Sequence, residues 1–166
     1  MKTVDKYLFQ ALDNYPYNLE DVVESLDYAL SYNNKNTMAL CLYGRVYAEQ
    51  LSDYEQAKLY FQEALISNIF AKEVYSHYIQ TLILNEDYEE ATKLIDFALT
   101  IKGIDKVEIL MKKISLFEKT QELKLGLKLM KEVKLSTLNS DYNYLIEETE
   151  KRLKQKVGKK SSKKKK

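Results

Sequence analysis

Chemistry by side chains needs partners within reach, and this chain is poor in the usual ones. It holds a single histidine, His77, and a single cysteine, Cys41. Neither has a second His or Cys beside it, so a nucleophile–base pair or a metal site lacks parts. One cysteine also excludes an intramolecular disulfide. Carboxylates are plentiful, as in Asp53/Glu55, Glu86/Asp87 and Glu147/Glu148/Glu150. They fall at turns or on helix faces, where a helix N-terminus or water accounts for them. The four glycines stand apart at 44, 103, 126 and 158, so no loop is built to cradle a phosphate. These observations predict no enzyme, no metal and no cofactor. His77 reads as a surface or groove residue, and Cys41 as a small buried hydrophobe.

The elements that carry these residues are predicted to be long helices. Four glycines and one proline in 166 residues leave few breaks, while Leu, Lys, Glu and Tyr abound. The length suits one domain with a substantial core. The first residues lack the apolar run of a signal peptide, and no stretch nears the ~18 apolar residues of a membrane span. A cytoplasmic protein with no membrane span is the expectation.

The formal net charge of +1 conceals an asymmetry. From Lys151 onward there are ten Lys and Arg and no acid, which leaves 16 basic against 25 acidic residues in 1–150, a net of −9. An acidic body thus carries a basic tail.

Within the body the sequence repeats. Asp53-Tyr54-Glu55-Gln56-Ala57 returns as Asp87-Tyr88-Glu89-Glu90-Ala91, 34 residues later. Ala64-Leu65 returns as Ala98-Leu99 at the same offset, and Ala29-Leu30 precedes it by 35. Leu40, Tyr43 and Tyr47 map onto Tyr75, Tyr78 and Leu82 at an offset of 35, which places a one-residue insertion around Leu51 and Ser52. Each unit reads as two helices with apolar residues at helical spacing. Ser52 and Glu55 have the spacing of a capping box, and Gly103 suits a helix terminator. Two weaker units flank the clear ones. Leu8, Leu12 and Tyr15, then Val22, Leu26 and Ala29, form one, broken at Pro16 with Asn18 as N-cap. Leu110, Ile114 and Phe117, then Gly126, Met130 and Val133, form the other. A final amphipathic helix from about Asp141 carries Tyr142, Leu145, Ile146, Thr149 and Leu153.

This pattern resembles the tetratricopeptide repeat. Leu40, Gly44 and Tyr47 take the large, small and aromatic places of its first helix, and Ala57, Phe61 and Ala64 those of its second. Tyr75, Ile79 and Leu82, then Ala91, Ile95 and Ala98, take the same places in the next unit, with Ile79 departing from the small residue expected where helices cross closely. The resemblance covers about 3–157. It implies an all-α solenoid of about four helix pairs over 1–157 plus a C-terminal covering helix, and a non-catalytic scaffold that binds a protein or peptide in a concave groove. The groove positions it implies are Met38, Cys41, Leu42, Arg45 and Ala48, then Glu73, Ser76, His77, Gln80 and Ile83. In the fourth unit they are Glu108, Met111, Lys112, Ser115 and Glu118, and Phe9 and Asp13 join from the first. The Lys and Asn cluster with which some members hold C-terminal carboxylates is missing.

Fourteen tyrosines invite a recognition reading. Core packing is the simpler account of Tyr43, Tyr47, Tyr60, Tyr75 and Tyr78, whereas Tyr15, Tyr17, Tyr28 and Tyr32 are less accounted for. The tail, 158–166, has no apolar residue to bury and is expected to be disordered. Its Lys159, Lys160, Lys163, Lys164, Lys165 and Lys166 suit simple solvation, weak nucleic-acid or ribosome contact, contact with anionic lipid, or contact with the acidic body. A nucleic-acid accessory acting through this tail is the alternative to the scaffold, and a self-associating structural protein is a third class.

Overall fold

The computed structural model describes residues 3–138 and 140–163, with side chains between 6 and 158. Among the described residues the fold is all-α, with nine helices and no strand: α1 (Thr3–Asn14), α2 (Leu19–Tyr32), α3 (Thr37–Arg45), α4 (Tyr54–Ser67), α5 (Lys72–Leu84), α6 (Tyr88–Ala98), α7 (Lys106–Lys119), α8 (Leu123–Ser136) and α9 (Asn143–Lys163). None of them is long and apolar enough to cross a membrane.

The sequence period reappears in the elements. Helices α3, α5 and α7 begin at Thr37, Lys72 and Lys106, spaced 35 and 34. Helices α2, α4, α6 and α8 begin at Leu19, Tyr54, Tyr88 and Leu123, spaced 35, 34 and 35. The turns before α4, α6 and α8 each hold one non-glycine residue in the left-handed region, Ser52, Glu86 and Gln121, at φ of 55°, 65° and 65°. The N-cap follows immediately: Asp53, Asp87 and Glu122.

This geometry corrects the capping box expected at Ser52 and Glu55. Ser52 sits at positive φ, while an N-cap residue needs a negative one; Asp53, at φ −91°, has it and accepts from Gln56 N–H at 3.1 Å. The inserted residue also lies earlier than expected. It is taken up where α3 widens into a π-helical turn, Val46–Gln50, with Leu51 N–H donating to Val46 O. Asn18 begins α2, but its amide donates to Asp21 at 2.6 Å and makes no side-chain cap. Gly103, at φ 78°, serves the connection between α6 and α7 rather than the end of α6, which stops at Ala98.

The chain divides into two compact units, Met1–Glu86 and Asp87–Lys166, so the third sequence repeat has α5 in one and α6 in the other. In the first unit Leu8, Ala11, Val22, Leu26, Ala29, Ala39, Leu42, Tyr43 and Val46 form a core across α1, α2 and α3. Gly44 lets α3 approach α4: a Cβ there would stand 2.6 Å from the Phe61 ring, which is itself fully buried. The small residue at this crossing is therefore sterically required. Tyr43, Tyr47 and Tyr60 stack beside it, with Tyr43 and Tyr60 centroids 4.8 Å apart, and the Tyr43 hydroxyl donates to Asp27. Such ring pairs add about 0.5–1.5 kcal/mol beyond their area.

In the second unit Val107, Leu110, Met111, Ile114, Leu123, Met130, Val133, Ile146 and Leu153 form the core of α7, α8 and α9. Ile146, Thr149 and Leu153 turn inward from α9, but Leu145, expected on that face, is exposed. Helical backbone continues through Gly158 to Lys163, past the point where the folded part was expected to end. Lysine is a good helix former, and one glycine costs only about 1 kcal/mol, so neither stops a running helix. Lys164, Lys165 and Lys166 lie outside the described residues, as do the side chains of Lys159, Lys160 and Lys163.

Candidate functional site

Three helical segments of the first unit bring polar groups to one point. Glu49, in the π-helical turn, accepts from the Tyr15 hydroxyl at 2.5 Å and from Arg45 Nε at 3.2 Å. His77, on α5, places Nδ1 3.1 Å from the same carboxylate. The Arg45 guanidinium also lies over the Tyr15 ring at 4.6 Å, and Gln50 donates to the Tyr15 hydroxyl at 3.4 Å. Residue 15 follows α1, so the cluster joins α1, α3 and α5.

The electrostatics follow from these contacts. Burial alone would raise the Glu49 carboxyl, but the hydrogen bonds from Tyr15 and Arg45 outweigh it and hold the group below its ordinary range. Burial acts to lower Arg45, and Glu49 more than restores it, so the guanidinium is raised. Tyr15 is raised by burial and then by donating to Glu49. Near neutral pH the cluster is an ionised carboxylate spanned by a fixed cation, a phenol and one imidazole.

The other sequence-predicted positions divide by exposure. Met38 and Glu73 are exposed, and Gln80 is half-buried. Cys41, Leu42 and Ser76 are buried, which takes them out of a partner's reach. The physical reason is that α3 is apolar almost all round: every residue from Ala39 to Gly44 is buried between its neighbours, not along one stripe only. Burial pushes the Cys41 thiol up to about 12, so it carries no thiolate near neutral pH. The contact with Glu49 orients the His77 imidazole.

In the second unit Met111 is buried in the core and Lys112 is half-buried. Glu118 is held by α9: Arg152 donates from Nε at 2.8 Å and from a terminal nitrogen at 2.9 Å, and Lys156 donates at 2.5 Å. The hydrogen bond from Arg152, with Lys156 adding to it against burial, brings this carboxyl down to about 2. Among the described residues no group of three or more His, Cys, Asp or Glu could hold a metal.

Sequence reasoning singled out neither Glu49 nor its link to Tyr15. The available signal was the i, i+4 spacing of Arg45 and Glu49 on one helical run. No protein-family model matches the chain, and no curated protein does.

Proposed function

We propose that this chain is a tetratricopeptide-type solenoid scaffold that binds an extended peptide or a helix of another protein along the first helices of its pairs. The observation that carries the reading is the polar cluster of Tyr15, Arg45, Glu49 and His77. It fixes side chains from the turn after α1, from α3 with its π-helical end, and from α5 in one geometry before any partner arrives. Preset side chains lower the ordering cost of binding. Met38, Glu73 and Gln80 supply further contacts on the same helices. The 34- and 35-residue spacing of helix starts and of left-handed turn residues supports the repeat assignment.

The test is a crosslinking pull-down from native extract with three chains: intact, lacking 158–166, and carrying Met38→Glu with Gln80→Glu. The expected outcome is one discrete protein captured by the first two and lost from the third. Capture that survives the double substitution overturns the reading.

A further inference from the structure

The two units carry opposite charge. Residues 1–86 hold six Lys and Arg against twelve Asp and Glu, a net of −6; residues 87–166 hold twenty against thirteen, a net of +7. Part of that excess is arranged on α8. Its inward residues are Gly126, Met130 and Val133. Opposite them, at steps of four, three and four, stand Lys124, Lys128, Lys131 and Leu135, all exposed. At 100° per residue these four occupy an arc of about 60°.

Several other lysines of the unit are paired. Lys113 meets Asp96 at 2.7 Å, Lys134 meets Glu150 at 2.5 Å, and Lys106 meets Glu132 at 3.3 Å. Lys124, Lys128 and Lys131 have no ion-pair partner among the described residues. At the end of the stripe Leu135 is 87% exposed and Leu138, just beyond the helix, 99% exposed. A solvated charged face accounts for the lysines but not for Leu135, which stands almost fully exposed within the same arc.

We infer that this face of α8 docks on an anionic membrane surface, with the three lysines at lipid phosphates and Leu135 and Leu138 in the acyl boundary. Lysine stems lie along such an interface with their ammonium groups among the headgroups, while leucine side chains enter it. Nucleic acid fits less well. The face has no aromatic residue on which bases stack, and both leucines would stay in water. Attachment is peripheral, since no described helix is long enough in apolar residues to cross.

Flotation of the full chain with lipid vesicles tests the inference. Vesicles of phosphatidylcholine with phosphatidylserine are expected to carry the protein, and phosphatidylcholine alone to leave it behind. Lys124→Gln with Lys128→Gln and Lys131→Gln should weaken the partition about a hundredfold, at roughly fivefold per surface lysine. Leu135→Ala with Leu138→Ala should weaken it about tenfold with charge unchanged, even at salt that screens the lysines. All five positions are exposed, and an unchanged circular dichroism spectrum verifies the fold. Equal partition on both vesicle types overturns the inference. So does loss of binding on neutralising the lysines of 159–166 while the α8 triple variant still binds. Preferential binding to homopolymeric RNA, lost in the α8 triple lysine variant and indifferent to the leucine pair, assigns the face to nucleic acid instead.

Discussion

Glu49 and Glu118 occupy the same place in two regions of the molecule. Each is the penultimate residue of a helical run that opens a hairpin, Glu49 before Gln50 and Glu118 before Lys119. Each ties that run to a later helix, α5 for Glu49 and α9 for Glu118. Their partners differ in kind. Glu118 faces two permanent cations and its side chain is 12% exposed, whereas Glu49 shares one cation with a phenol and an imidazole and is 38% exposed. One carboxylate is clamped by α9; the other stays more open to water.

The largest effect separates the two units at their glycines. Gly44→Ala forces a Cβ against the buried Phe61 ring and should lower stability by about 1–3 kcal/mol in urea unfolding. Gly126→Ala meets Leu153 at 3.4 Å, an ordinary contact, and gains helix propensity, so its change should stay within about 1 kcal/mol of zero. Equal losses at both sites would remove the packing contrast between the units.

Acid should act next, on the Glu118 clamp. A carboxyl held near 2 binds its proton more weakly folded than unfolded. Its contribution is therefore complete above the ordinary carboxylate range and disappears as pH falls through that range to about 2. After allowance for the half-exposed cations, the loss should be roughly 1 kcal/mol. Glu118→Gln should flatten the acid limb of the unfolding curve, and an unaltered limb in that variant would sink the assignment.

The smallest effect belongs to the other carboxylate. A double-mutant cycle of Arg45→Gln with Glu49→Gln should give a coupling of about 0.3–0.5 kcal/mol, as for exposed pairs one helical turn apart. The matching cycle of Arg152→Gln with Glu118→Gln should exceed it. Reversal of that order would show the first cluster to be the more rigid of the two.

The helix pairs were legible because Ala57, Phe61 and Ala64 and their counterparts 34 residues later record a packing requirement in side-chain size. Gly44 was legible for the same reason, as a small residue where two helices meet. The site was less so. Periodicity distinguishes the faces of a helix only when one face is wet, and α3 is covered nearly all round, so Cys41 and Leu42 read as groove residues though they are core. Glu49 was hidden because an inserted residue shifts the register of its last turn. The cap before α4 fell one residue late for a related reason: Ser and Asp are both good caps, and backbone φ decides between them. Leu135 and Leu138 gave no signal as surface residues, since only the packed fold shows which leucines at the end of α8 are left outside.

The π-helical turn has a bearing on motion. Its hydrogen bonds span an additional residue, and the one from Leu51 to Val46 is long at 3.2 Å. Amide exchange at Leu51 is expected to be faster than in the α-helical turns around it, because its hydrogen bond is long. The carboxylate that gathers Tyr15, Arg45 and His77 thus stands two residues from this long bond. A partner that settles on this face would be felt first as a slowing of exchange at Gln50 and Leu51.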